Sequence, residues 1–310
     1  MRHTTTIQFR AAVFALLALA AISSARAQTL FFDDFGDGLA ASRWSVAVQT
    51  ESTALSTTGP DGSVNFNFDY STLGVPAAPG GSDTIGAFIQ VNNTDQDGDE
   101  GETYVIYPNG QNFSGNFVMT ADMFVWNDGG ASGAGTTELG MAGVFLDNAD
   151  PIAPYQWGSE GGPLAWIYSG EGGSGADLAS FKEGNATATG YAAISDYNTW
   201  PADSIPGFET GVSGSSGPAA DNAAGSWVKV KLESTGSAIN WYLNGALVDS
   251  YDNSGGFYTE GNIFLGTTDP FNSVNSAGGA IIDNVVVVPE PAGLVLCLLG
   301  AALALAGRRR

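Results

Sequence analysis

The 310-residue chain has one histidine, one cysteine and 10 Lys and Arg residues against 32 Asp and Glu, a formal net charge of −22 at pH 7. His3 lies before a first apolar segment and Cys297 in a last one, so the body between them contains neither residue type. That excludes Ser/His/Asp and Cys/His nucleophilic catalysis, histidine-based metal sites and internal disulfides from the body. Carboxylate chemistry remains, and the available metal is calcium, which takes oxygen ligands. Bases are scarce as well: between Gln28 and Glu290 only Arg43, Lys182, Lys229 and Lys231 are positive. So negative a surface repels phosphate backbones and anionic lipid, which excludes nucleic acid as a partner and leaves divalent cations, cationic partners and neutral glycans. The same charge also keeps an exported protein in solution.

Both ends carry apolar runs. Arg2 and Arg10 precede Ala11 to Ile22, and Ala25-Arg26-Ala27 supplies the small residues an export peptidase needs. Residues 1–27 therefore read as a secretory signal peptide, handled by the Sec export machinery and signal peptidase, with the mature chain starting near Gln28. At the other end "VVVVPEPAGLVLCLLGAALALAGRRR" closes the chain. Val285 to Val288 finish a strand, and Pro289 and Pro291 stop it because neither donates to a ladder. The sixteen residues Ala292 to Gly307 form a short spanning helix, and Arg308, Arg309 and Arg310 hold its end in the cytoplasm.

The body, 28–288, alternates short apolar stretches with Gly, Ser, Asn, Asp and Pro, which is strand and turn chemistry. In "NFVMTADMFVW" Phe117, Met119, Ala121, Met123 and Val125 share one face, Thr120 and Asp122 the other, with Phe124 and Trp126 as partial cover there. "WVKVKLESTGSAINWYLNGALVDSY", Trp227 to Tyr251, predicts a three-stranded meander turning at Ser234–Ser237 and at Asn244-Gly245. Further strands are expected at Asn262 to Gly266 and Ala280 to Val288. No stretch shows sustained helical spacing and no fixed-period repeat is present. Roughly a dozen strands make one all-β sandwich. Residues 127–137 and 169–226, dense in Gly, Ala, Ser and Asp, read as long loops holding a few unplaced short strands.

"FFDDFGDGLAASRW", "WYLNGALVDSY" and "AIIDNVVVV" resemble the concanavalin A-like lectin/glucanase and laminin G-like jelly rolls. The resemblance implies a jelly-roll β-sandwich with first and last strands together at one edge. Sandwiches of this kind host lectins, hydrolases and adhesion modules alike. The terminal order Val288-Pro289-Glu290-Pro291, apolar helix, arginine cluster is similar to the PEP-CTERM sorting signal of Gram-negative bacteria, here 289–310. That resemblance implies processing near Pro289, Glu290 and Pro291 by an exosortase-type enzyme. It also implies transient anchoring in the inner membrane and delivery to the cell surface or the exopolysaccharide matrix.

Four candidate sites follow. Laminarinase-type glycosidases carry Glu-x-Asp-x-Glu or Glu-x-Asp-x-x-Glu on one strand, and no Glu-x-Asp occurs here. Asp99, Glu100 and Glu102 come nearest, in a glycine-flanked loop with nothing to fix their geometry, so no catalytic residue is expected. "NNTDQDGDEGETY" places Asn93, Asp95 and Asp97 before Gly98, the first half of a calcium loop, but Tyr104 stands where its bidentate glutamate belongs. The stretch is either a calcium loop or a solvated acidic hairpin tip. The laminarinase-like resemblance implies a structural calcium held by Asp283 with Asp33 or Asp34 opposite, against which Asp283 capping a turn stands open. Tyr155, Trp157, Tyr197 and Trp200 lie in irregular segments and suit stacking on sugar rings or ordinary packing. Trp126, Trp227 and Trp241 lie in strands and read as core. The expectation is an exported, surface-sorted, non-enzymatic sandwich, structural or bound to polysaccharide. Its alternative is a carbohydrate-active enzyme, a hydrolase or lyase, with an unrecognised carboxylate pair.

Overall fold

The computed structural model describes residues 29–50, 60–93, 101–126, 139–151, 163–169, 178–181, 192–193, 227–269 and 278–290. They form a two-sheet antiparallel β-sandwich with strands from Phe31 to Pro289. The first sheet runs β14 (Ala246–Asp252), β13 (Ala238–Leu243), β12 (Trp227–Ser234), β7 (Phe117–Trp126), β16 (Gly279–Pro289), β4 (Ile85–Gln90), β3 (Ser63–Asp69), with β1 (Phe31–Asp33) also on β16. The second runs β11 (Ala192–Ala193), β10 (Leu178–Phe181), β9 (Leu164–Ser169), β8 (Leu139–Leu146), β15 (Glu260–Asp269), β5 (Glu102–Pro108), β2 (Trp44–Thr50), with β6 (Phe113–Ser114) on β15. One helical turn, α1 (Ala40–Arg43), precedes β2, and a 3₁₀ turn, Tyr70–Leu73, follows β3.

The expected meander is present: β12, β13 and β14 pair in succession. Asn244 (φ 48°) and Gly245 (φ 85°) make the mirror-image turn that matches strand twist. The inward face of β7 is the one its alternation gives, with Phe117, Met119, Ala121, Met123 and Val125 all buried. Between the sheets these meet Ile106, Leu265, Leu164 and Trp166, and Trp166 stacks on Trp241 across the core at 6.1 Å. The first strand does lie against the last, Phe31 opposite Val287. The last strand is interior rather than at an edge, however, because β7 pairs along its other side. An eleven-residue run of mostly β-branched and apolar residues suits an interior position, where both its sides are paired.

Two further clusters sit outside that core. Val105, Met141, Ala165, Ile167 and Phe264 fill the second sheet's other face, which is why β8 is buried at every position and shows no alternation. On the outer face of the first sheet, Tyr70, Val75, Phe88, Phe124 and Ile281 pack together with Trp227 against them. Residues 70–84 are thereby drawn over the sheet, with the Trp227 indole N–H donating to the Pro76 carbonyl at 2.8 Å. Trp227 thus packs under this loop and outside the central core.

The sandwich has two unlike poles. At one, Thr50 and Asp269 both oppose Glu102, Trp126 opposes Gly279, and Leu139 opposes Ser169 and Thr268. Chain segments 51–59, 94–100, 127–138, 170–177 and 270–277 adjoin this pole, and their sequences hold nine carboxylates and no Lys or Arg. The opposite pole carries both ends of the body. The Leu30 N–H donates to the Val287 carbonyl at 2.8 Å, and the Glu290 N–H donates to the Asn116 carbonyl at 3.2 Å.

Candidate functional site

Among the described residues a concentration of ionisable groups lies on the outer face of the first sheet, beneath residues 70–84. Asp122 of β7 and Asp283 of β16 stand directly opposite each other, and Lys229 of β12 stands opposite Asp122 on its other side. The β16 ladder shifts register between Asp283 and Val286, with Asn284 at φ 51°. This bulge swings the Asn284 amide over the row, so that its Nδ2 donates to Asp122 Oδ2 at 2.9 Å. The Lys229 ammonium lies 2.5 Å from Asp122 Oδ1. Asp283 accepts the Asn284 backbone N–H at Oδ1 (2.6 Å) and the Tyr70 hydroxyl at Oδ2 (2.9 Å). Tyr70 Oη also lies 3.1 Å from the Asp83 carbonyl and accepts the Ala78 N–H at 3.2 Å. Burial pushes the Asp283 carboxyl up to about 7, and the charges of Asp122 and Asp83 add to the shift.

A carboxyl that holds its proton near neutrality beside an ion-paired one is the electrostatic pattern of an acid–nucleophile pair. Here, however, Asp283 is 2% exposed and Asp122 0%. Tyr70 seals the first and Lys229 with Asn284 the second, leaving no approach for a sugar. The second carboxyl that burial pushes up, Glu102, belongs to the other sheet. Its oxygens accept the backbone N–H groups of Asp61 (2.8 Å), Gly62 (3.1 Å) and Asn92 (3.1 Å), so it ties together segments at the loop pole. The sequence reading of Glu102 as a carboxylate without fixed geometry is therefore corrected: it starts β5, is buried, and has three fixed partners.

The residues expected to hold calcium separate. Asp33 Oδ1 accepts from the Phe35 N–H (2.8 Å) and Arg43 (2.7 Å), and Oδ2 accepts from Arg43 Nε and the Trp44 indole (both 2.7 Å). Four donors occupy this carboxylate, and Arg43 reaches on to Asp37 at 2.8 Å. Asp34 merely accepts the Gly36 N–H at 3.3 Å. With Asp33 and both Asp283 oxygens already facing donors, an Asp33–Asp283 calcium pair does not fit this structure. Among the described residues no three metal-binding side chains converge on one point. Asn93 differs: its N–H donates to Asp61 Oδ1 and its Nδ2 to the Asp61 carbonyl, both at 2.9 Å, while its Oδ1 is buried without a donor. Asp95 and Asp97 lie outside the described residues, as do Tyr155, Trp157, Tyr197, Trp200, Pro291 and Arg308–Arg310. Among the described residues no helix is long and apolar enough to cross a membrane.

No protein-family model matches the chain. No curated protein matches it either. Solved structures do. A Bacillus subtilis protein of unknown function with a galectin-like fold shares 12% identity over 84% of this chain and 96% of its own, with a TM-score of 0.46. A Crh5 transglycosylase in complex with NAG shares 15% identity over 84% of this chain and 83% of its own, TM-score 0.42. A carbohydrate-binding module from Bacillus subtilis shares 15% over 61% and 86%, TM-score 0.35.

The sheet outer face that carries the Asp122–Asp283 row was legible only as a polar alternation. Nothing in the sequence around Asp122 shows that residues 70–84 cover it, because the contact joins Tyr70 to Asp283 across 213 positions. The glycine-rich run before Asp83 was the available signal. Gly81 and Gly86 both sit where a Cβ would press on β16 atoms, so a chain without side chains at these points is what permits the close approach.

Proposed function

We propose that this chain is an exported, membrane-delivered β-sandwich of the concanavalin A-like kind that serves outside the cell as a non-enzymatic structural or glycan-associated matrix protein. The supporting observation is that both ends of the body leave the sandwich side by side, Leu30 bonded to Val287 and Glu290 to Asn116. Each end continues in sequence toward an apolar run, Ala11–Ile22 and Ala292–Gly307. A C-terminal run held in a bilayer would then set this pole toward the membrane. Residues 1–27 are then the leader removed by signal peptidase after Sec export. Pro289, Glu290 and Pro291 mark the processing point for an exosortase-type enzyme, and Arg308 to Arg310 stop the helix. The non-enzymatic reading is supported by the closure of Asp122 and Asp283 and by the backbone partners of Glu102. Calcium belongs in this reading at Asn93, whose bare Oδ1 begins the Asn93/Asp95/Asp97 alternation, rather than at Asp283.

Terminal mass spectrometry with cell fractionation tests the delivery. The native host should hold a form lacking both terminal segments at its surface or in its matrix. Changing Pro289, Glu290 and Pro291 together to alanine should trap a longer form in the inner membrane. Wild type retaining its arginines in the inner membrane, with the triple variant behaving identically, refutes the sorting reading. A glycan array probed with the purified protein tests the rest: saturable retention without released sugar is expected, and sustained release of reducing ends refutes the non-enzymatic reading.

A further inference from the structure

At the pole where the chain ends leave, the outer face of the first sheet is apolar and open. Leu30 is 43% and Phe32 53% exposed, and Val118, Val286 and Val288 are half-buried beside them. Register makes these five one patch: Phe32 opposes Val286, and Val288 opposes Val118, in adjoining rows of β1, β16 and β7. Farther along β16 the same face turns charged at Asp283 and Asp122. Across β12 it turns polar at Lys231 and Glu233, which pair at 3.1 Å. Contiguous exposed apolar residues of this kind mark interaction surfaces.

What meets this patch follows from where the chain goes. Glu290 is the last of the described residues and is bonded to the sandwich at Asn116. The apolar run begins at Ala292, and two residues of extended chain reach about 7 Å. While that run lies in a bilayer, this pole stands at the headgroups, and rows one step apart along the strands, about 7 Å, lie within the interfacial layer. The strand ends that flank the segments holding nine carboxylates lie at the far pole, away from the membrane. We propose that Leu30, Phe32, Val118, Val286 and Val288 form a docking surface for zwitterionic lipid, which seats the sandwich on the bilayer surface as long as the C-terminal run is attached. The chain's negative charge selects neutral headgroups over anionic ones. Docking rests on the anchor reading above. It adds a defined orientation, with the loop pole outward and the Pro289–Pro291 segment held against the membrane surface.

The full chain reconstituted in phosphatidylcholine vesicles separates the two claims. An environment-sensitive fluorophore is placed at Phe32→Cys or Leu30→Cys in a Cys297→Ser background, at Ser63→Cys on the far pole, and at the native Cys297 of the wild type. Both patch substitutions are at exposed positions, so they leave the core intact. Docking predicts that shallow spin-labelled lipid quenches the label at Phe32 and Leu30 severalfold more than at Ser63, and that both patch labels blue-shift when vesicles are present. Cys297 should be quenched by deep spin labels. Quenching at Cys297 with Phe32 and Leu30 behaving like Ser63 overturns the docking surface and leaves the anchor standing. An unquenched Cys297 overturns the anchor, and the docking proposal with it.

Discussion

Between pH 5 and pH 8.5 this protein should lose stability, and Asp283 should be responsible. Its carboxyl ordinarily titrates near 3.8 and is raised to about 7 in the fold. Over the interval between those values the folded state holds a proton that the unfolded state has released, so stability falls as pH rises. The slope is about 1.4 kcal/mol per pH unit. The contribution is fully present below about 3.8 and gone above about 7. Integrated from pH 5 to pH 8.5 it amounts to about 2.7 kcal/mol, which for a body of this size lowers Tm by roughly 5–10 °C. The background is clean because the body has no histidine, so little else titrates there in the unfolded chain. Asp283→Asn should remove most of the slope. Asparagine Oδ1 can still accept the Asn284 N–H, and its Nδ2 can donate to Tyr70 Oη. The Tyr70 proton is then free for the Asp83 carbonyl 3.1 Å away. The variant should therefore be more stable than wild type at pH 8.5, where the wild-type contribution is gone. Thermal unfolding followed by circular dichroism, in chelator and at constant ionic strength, measures both. A flat wild-type profile, or an Asp283→Asn profile parallel to a sloping wild-type one, refutes the assignment. A smaller residual slope of the same sign belongs to Glu102, which burial also pushes up.

Three other outcomes are expected. Arg43→Ala leaves Asp33 buried with only the Phe35 and Trp44 donors, and should cost about 2–3 kcal/mol in urea unfolding, with Arg43→Lys recovering only part because an ammonium cannot span Asp33 and Asp37. Gly266→Ala places a Cβ 2.1 Å from the Tyr104 carbonyl oxygen, in the backbone of the neighbouring strand, and should cost about 3 kcal/mol or prevent folding. Calcium at 100 times its dissociation constant should add about 2.7 kcal/mol, reversed by chelator and weakened by Asn93→Ala; a melting curve indifferent to calcium leaves Asn93 a plain bridge to Asp61.

What the sequence could show depended on how far apart the cooperating residues lie. The meander was legible because Val228, Val230 and Leu232 alternate with lysines and Asn244-Gly245 dictates its own backbone. β8 was not, because Leu139 to Leu146 is apolar on both faces and carries no period. Asp122 was read correctly as lying on the face opposite Met119 and Ala121, but its partners were not legible, since alternation tells the face and not what covers it. Asp33 was assigned to a calcium pair on resemblance, although Arg43 ten positions on supplies its charge and geometry. A lone arginine in so acidic a stretch was a signal for that clamp. Tyr70, Asp122 and Asp283 belong to separate thirds of the chain, and strand pairing, the Tyr70 hydrogen bond and the bulge at Asn284 together make them one site.

The interior position of β16 has a mechanical meaning. A tether attached beyond Glu290 would pull along an eleven-residue strand zipped to β7 on one side and to β4 and β1 on the other. Such a load falls on many ladder bonds at once instead of peeling them singly, and forced unfolding is governed by the rate of that first rupture. The opposite terminus hangs from three residues of β1. Tension applied between the two ends would therefore strip the N-terminal strand before it drew the last one out.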